Sequence, residues 1–326
     1  MTLSRFFLLG CALFQSYAAE TGLTGPVLGY VFDPANGLQP IRGISGALTI
    51  GAPLELPDNL GKLVVASQQD YALAISASDS HVLRLGARLA IEDLGLPIGG
   101  TDVIALSPTG SAAAFYDREK NRVQVIAGLP SKGRIAREFE LSGFRGELAS
   151  LVVDDNAEAV VVGFSGVEND AIVALGVDGS VRTLAGAQYA SAICFLNGTR
   201  DVLIADGAAS RIYLVRDVTG TAELVLVAED VKTFVEPVAI SVSKDNKQAF
   251  VAGSGMPGVA GIDLAGGGVT FTPCNCAPSQ LTPLSGKAVF RLTEPSSGPM
   301  WLFDADAAEP RIVFVPPYRP VEEPVQ

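Results

Sequence analysis

Ile104-Ala105-Leu106-Ser107-Pro108-Thr109-Gly110, then Ala112-Ala113-Ala114-Phe115-Tyr116-Asp117, then Asn121-Arg122-Val123-Gln124-Val125-Ile126 is the stretch that decides the fold. It reads as a short apolar strand, a Pro/Gly turn, a second strand, a polar turn and a third strand, the pattern of an antiparallel meander. The unit recurs. Leu151–Asn156, Ala159–Gly163 and Ala171–Leu175 repeat it, as do Ile193–Gly198, Val202–Asp206 and Ser210–Val215. A further copy is Ala239–Asn246, Ala249–Ala252 and Ala260–Leu264, and weaker copies run from Leu63 to Leu85 and from Leu281 to Phe303. Aligning Asp70, Gly110, Asn156, Gly198, Asn246 and Gly286 as the turn residues gives spacings of 40, 46, 42, 48 and 40. Such a period predicts one four-stranded blade per repeat, because a single meander cannot bury both faces and must stack on its neighbours. A fourth strand follows in most copies, for instance Leu224–Val227 and Val313–Val315. A β-sandwich predicts no such constancy of unit length.

Six copies plus the N-terminal stretch Val27–Pro34 with Leu38–Ile41, which has the hairpin look of Met300–Val315, predict an all-β propeller of seven blades. Six blades, with the N-terminal hairpin completing the last, is the close alternative. The ring must close, since an open blade edge presents unpaired backbone groups. The propeller is expected over residues 19–315, and the Pro-rich residues 316–326 as an extended tail.

Composition agrees with stacked blades and removes other classes. Hydrophobic residues make up 48% and charged ones only 18%, too apolar for a disordered chain. The 35 Gly and 20 Pro supply the turns that many short strands require. The formal charge of −12, without a Lys/Arg cluster, opposes binding to nucleic acid. Residues 1–18 read as a secretory signal, with Arg5 before the apolar run Phe6–Phe14 and small residues Ser16 and Ala18 before a cleavage site. That run falls short of the ~20 residues that span a bilayer, and no later stretch approaches this length. Cleavage near Ala18 would take the charge to −13 and leave the protein extracytoplasmic, periplasmic or secreted. In a narrower alternative Leu8-Leu9-Gly10-Cys11 is a lipobox and Cys11 carries a lipid tether.

Segments such as Val202–Asp206 with Ser210-Arg211-Ile212-Tyr213, and Phe115-Tyr116-Asp117 with Asn121-Arg122-Val123, resemble the repeats of extracytoplasmic NHL and YVTN-type bacterial β-propellers across roughly residues 61–315. The resemblance implies a ring-shaped scaffold, often exported, used for protein or ligand binding and occasionally for hydrolysis or redox chemistry. The chain departs from quinone-dependent members in having one tryptophan, Trp301, and no adjacent cysteines.

Catalytic sets are scarce. His81 is the sole histidine and falls in a polar Asp79-Ser80-His81 segment expected to be a turn. Gly163-Phe164-Ser165-Gly166-Val167 fails the nucleophile-elbow pattern at its last position, and phosphate-cradling glycine motifs are missing. Carboxylates could still serve a hard metal. Asp154-Asp155-Asn156 and Asp304-Ala305-Asp306 with Glu309 are weak Ca²⁺ candidates, although acids at such places are ordinary turn formers. Asp102, Asp206 and Asp245 lie near strand ends where a channel could gather them. Asn197-Gly198-Thr199 fits a glycosylation sequon but reads better as a tight turn. Cys194 reads as a buried core residue, and Cys274-Asn275-Cys276 as a local disulfide or rigid loop in preference to a metal or redox centre. The expectation is a monomeric, exported, non-catalytic binding scaffold without cofactor, its protein or small-molecule partner unspecified. The alternatives are a lactonase-like or other hydrolase using channel carboxylates and a divalent cation, and a lipid-tethered envelope component.

Overall fold

The computed structural model of the chain describes residues 25–318 apart from 57–59, 77–79, 87–88, 99–100, 167–170, 185–189 and 296–298. The signal segment, Ala18, Cys11 and the tail beyond Tyr318 lie outside the described residues. Seven antiparallel sheets follow one another along the chain. Blade 1 holds β1 (Val27–Asp33), β2 (Gly37–Ile44) and β3 (Ala47–Ile50); blade 2 holds β4 (Lys62–Val65), β5 (Tyr71–Ile75), β6 (Ser80–Arg84) and β7 (Ala90–Asp93). Blade 3 comprises β8 (Thr101–Leu106), β9 (Ala112–Asp117), β10 (Arg122–Ala127) and β11 (Arg134–Glu140), and blade 4 comprises β12 (Glu147–Val153), β13 (Ala159–Ser165), β14 (Ala171–Gly176) and β15 (Val181–Thr183). Blade 5 is β16 (Ala190–Phe195), β17 (Val202–Asp206), β18 (Arg211–Arg216) and β19 (Glu223–Glu229). Blade 6 is β20 (Pro237–Val242), β21 (Gln248–Gly253), β22 (Gly258–Asp263) and β23 (Val269–Pro273), and blade 7 is β24 (Thr282–Pro283), β25 (Val289–Arg291), β26 (Met300–Asp304) and β27 (Arg311–Val315). The architecture is an all-β, seven-bladed propeller, so the seven-blade expectation holds over six.

The core is divided among the junctions of the ring. Buried apolar side chains separate into seven clusters, one at each junction between neighbouring blades, including that of blade 7 with blade 1. Successive side chains of a strand point to opposite faces. In β9 this sends Ala113 and Phe115 into the junction with blade 2, and Ala112, Ala114 and Tyr116 into the junction with blade 4. Every position of β9 is therefore buried, which accounts for continuous apolar runs where a one-sided sheet would alternate. Junctions differ in filling. Small and aliphatic groups dominate between blades 4 and 5, whereas Phe250, Phe290 and Phe303 interlock between blades 6 and 7 with ring centroids 5.2–6.4 Å apart.

The turn that revealed the repeat recurs at backbone level. Ala66, Ser107, Asp154, Leu196, Ser243 and Leu284 each donate their N–H to the carbonyl five residues on. A left-handed residue closes each turn: Gly110, Gly198, Asn246 and Gly286, but Gln69 and Ala157 in blades 2 and 4, one position away from the Asp70 and Asn156 aligned by sequence.

Blade 1 departs from the pattern. The β2–β3 turn meets the β26–β27 turn of blade 7, where the Arg311 guanidinium donates to the Ser45 carbonyl at 2.8 Å, and β3 lies beside the outermost strand β27. Its three strands thus correspond to the second, third and fourth strands of the other blades. Among the described residues blade 1 has no innermost strand. His81, expected in a turn, is the second residue of β6, opposite Ala74 and Asp93.

Candidate functional site

The innermost strands of blades 2–7, β4, β8, β12, β16, β20 and β24, converge on a central channel. Where they end at the repeated turns they frame a cavity of about 260 Å³, just below the range of roughly 300–1,000 Å³ usual for ligand pockets. Val64, Val65, Leu106, Val152, Val153, Phe195, Val242, Leu281 and Leu284 form largely apolar walls. Among the described residues blade 1 contributes nothing to the lining, as follows from its strands taking the outer three places. Lys244 and Lys287 stand at the turn end of the cavity.

Most polar groups around this end are spent on holding the ring together. The Ser67 hydroxyl donates to the Pro108 carbonyl and the Tyr71 hydroxyl to that of Gly110, joining blades 2 and 3; burial pushes the Tyr71 phenol well above its ordinary pKa. Asp155 ties three blades: one carboxylate oxygen accepts from Thr109 N–H at 2.7 Å and its hydroxyl at 2.6 Å, the other from Gly198 N–H at 2.7 Å. Asn197 donates through Nδ2 to the Ser243 carbonyl at 3.1 Å and to Asn246 Oδ1 at 2.8 Å, and Asn246 returns a bond to the Asn197 carbonyl. Lys244 N–H donates to the Lys287 carbonyl, and Ser285 N–H to that of Leu28, completing blades 6 to 7 and 7 to 1.

Gln69 makes the last joint. Its Oε1 accepts from Tyr30 N–H at 2.8 Å, while Nε2 donates to the carbonyls of Ala66 at 3.1 Å and Pro283 at 2.8 Å. One buried amide thus satisfies the inner edge of β1 and links blades 1, 2 and 7 where a strand would otherwise run.

Lys244 is different. Its ammonium has the Gln68 side-chain oxygen at 3.3 Å and, among the described residues, no carboxylate within 4.0 Å. Burial lowers its pKa and the field of Asp306 works against that shift. Lys287 is exposed and reaches only to 3.9 Å from Asp245.

The sequence-derived candidates are separated. Asp154 is fully buried in blade 4; its Oδ1 accepts from Glu158 and Ala159 N–H at 2.7 and 2.8 Å, and burial raises its pKa against those bonds. Asp155 is the staple just described. In blade 7, Asp304 pairs with Arg311 at 3.1 Å and accepts from Asp306 and Ala307 N–H, while Asp306 accepts from Lys287 and Ala288 N–H. These carboxylates do turn chemistry in two distant blades. Among the described residues no three His, Cys, Asp or Glu side chains are placed to share a metal ion. Asp102, Asp206 and Asp245 cap Arg118, Ala208 and Lys247 respectively, and none lines the cavity. Cys194 lies on β16 against the cavity, where burial pushes its thiol up to about 12, an unreactive state. Cys274 and Cys276 are disulfide-bonded, their Cα atoms 5.1 Å apart. Sequence reading missed Gln69, Lys244 and Lys287. Gln69 alone left a signal, a long amide in a turn slot that the other repeats fill with Gly, Asn or Ala.

No protein-family model matches the chain, and no curated protein matches it in sequence. Solved structures do match. A functionally unknown protein from Desulfotomaculum acetoxidans superposes with a TM-score of 0.56 at 12% identity, covering 90% of this chain and 100% of the other. A candidate 6-phosphogluconolactonase from Bacteroides fragilis gives 0.54 at 11% identity over 88% and 92%. Hsv2 of Kluyveromyces lactis gives 0.54 at 10% identity over 76% and 74%. The likeness is one of fold. At these identities a shared propeller carries no shared chemistry.

Proposed function

We propose that the protein is an exported, monomeric, non-catalytic propeller of the NHL/YVTN type that binds a small ligand at the turn end of its channel. The cavity itself carries this reading: six blades frame an apolar space whose described walls present neither carboxylate nor imidazole, and where Ser67 and Asn197 are committed to inter-blade bonds and Ser107 to its own turn. That arrangement suits capture more than bond cleavage, which needs a positioned base, nucleophile or metal. Export after Ala18 is part of the proposal, as is the absence of a resident cofactor. The fold shared with a candidate lactonase keeps hydrolysis as the rival to be tested.

Metal analysis of the purified protein, with hydrolysis assays on 6-phosphogluconolactone and simple lactones, separates the two. The binding reading expects less than 0.1 equivalent (roughly) of Ca²⁺, Zn²⁺ or Mn²⁺ and no turnover. Stoichiometric metal with lactone hydrolysis would establish the enzyme. Mass spectrometry of the mature N-terminus decides between free export, a chain beginning at Ala19, and a lipidated Cys11.

A further inference from the structure

We propose, on the basis of that binding reading, that the channel ligand is an amphipathic anion: a carboxylate headgroup held by Lys244 and Lys287 above a short apolar tail lying between the inner strands. Two independent features converge on this class. The walls are apolar, with Val65, Leu106, Val153 and Val242 from four blades facing one space, so the portion that enters must gain by leaving water. At the turn end a half-buried ammonium has only the Gln68 amide oxygen as partner, although the molecule carries twelve more acidic than basic side chains, 35 against 23. A desolvated cation without a counter-ion is a cost that a bound anion removes.

The same groups exclude other ligands. An ammonium ligand would meet two lysines and no carboxylate in the described lining. A sugar or polyol needs several free donors and acceptors, but of the hydroxyls and amides in the lining Ser67 engages the Pro108 carbonyl, Ser107 the Ala112 N–H, Thr282 the Gln280 side chain and Asn197 the neighbouring turn, which leaves Ser241. A cavity of about 260 Å³ is also too small to bury a nucleotide's base, sugar and phosphates together. Asp245 stands near Lys287, and Asp306 acts on Lys244 at longer range, so Lys244 is the group whose charge is least compensated.

Calorimetric titration of the full mature protein with octanoate, 1-octanol and octylamine, three probes of equal tail and different head, tests the assignment. Octanoate is expected to bind one per chain, at least about tenfold more tightly than octanol, with octylamine silent. Lys244→Gln should weaken octanoate about tenfold and leave octanol unchanged, Lys244→Arg should restore most of the affinity, and Val153→Trp should abolish binding of both by filling the cavity. Equal affinity for octanoate and octanol, or indifference of octanoate to Lys244→Gln, would overturn the anionic class while leaving channel binding intact. Binding that survives Val153→Trp in a variant with a native circular dichroism spectrum would overturn the location. Failure of every probe would overturn the amphiphile proposal, whereas turnover of a lactone by the same sample would overturn the non-catalytic reading beneath it.

Discussion

Two places in the ring are each spanned by one side chain reaching three blades, and they use different chemistry. Where blades 3, 4 and 5 meet, Asp155 faces only donors, the Thr109 N–H and hydroxyl and the Gly198 N–H, and it lies partly in solvent. Where blades 7, 1 and 2 meet, Gln69 faces one donor, Tyr30 N–H, and two carbonyls, and it is buried. A carboxylate is the acceptor-only group the first set needs, and water solvates its remaining charge. An amide is the small neutral group that both donates and accepts, as the second set needs, and burying it strands no charge. The partner set chooses the residue; the depth decides whether it is charged.

Gln69→Glu should break this distinction most severely. A carboxylate there keeps the bond from Tyr30 but turns oxygen toward the Ala66 and Pro283 carbonyls in a buried site, at a cost of about 3–5 kcal/mol in chemical unfolding at neutral pH. Because such a buried acid has its pKa raised, the loss should shrink as pH falls from neutral through the raised folded value, where the group takes up a proton with which to donate, and level off below the ordinary Glu value of about 4.3. Asp155→Ala comes next. Three hydrogen bonds are lost, but water can reach the stranded groups, so about 2 kcal/mol is expected, and Asp155→Asn should lose about 1 kcal/mol because its amide opposes the Gly198 N–H. Combining Gln69→Ala with Asp155→Ala sharpens the comparison further: the junctions share no partner, so unfolding energies should add within about 0.5 kcal/mol. A larger coupling would mean that strain at one junction propagates around the ring.

The smallest effect belongs to the neighbour of Asp155. Burial raises the pKa of Asp154, so the folded state holds its proton more tightly than the unfolded chain does. Its contribution is therefore fully present below the ordinary carboxylate range and is lost as pH rises through the folded value. Asp154→Asn keeps an acceptor for the Glu158 and Ala159 N–H groups, so a urea series from about pH 4 to about pH 7 should show a flatter pH dependence and a change of under ~1 kcal/mol in stability at the lower pH.

Much of the architecture was legible because each repeat carries its own turn and its own two-faced apolar strands, both local properties. Gly110, Gly198, Asn246 and Gly286 mark the turn wherever the left-handed residue is of the expected kind. Gln69 and Ala157 occupy the same conformation without the usual residue, and there the alignment slipped by one position. The strand content of Val27–Ile41 was readable, yet its rank within blade 1 was not, since contact with Arg311 and Ser285 is what shows that these strands take the outer three places of the blade. The cavity lysines were illegible because nothing near them in sequence distinguishes Lys244 from an ordinary turn lysine such as Lys247.

By itself the sequence determined the repeating unit, its length, the all-β class and the scarcity of catalytic side chains, since these follow from periodicity and composition. Tertiary structure decided which blade shows three strands among the described residues, which polar residues clamp neighbouring turns, and that Lys244 comes to the cavity with no described carboxylate within 4.0 Å. Those outcomes depend on residues from different blades being brought within hydrogen-bond or Coulomb range, as when Gln69 meets Pro283. Distances of that kind arise only when the ring closes.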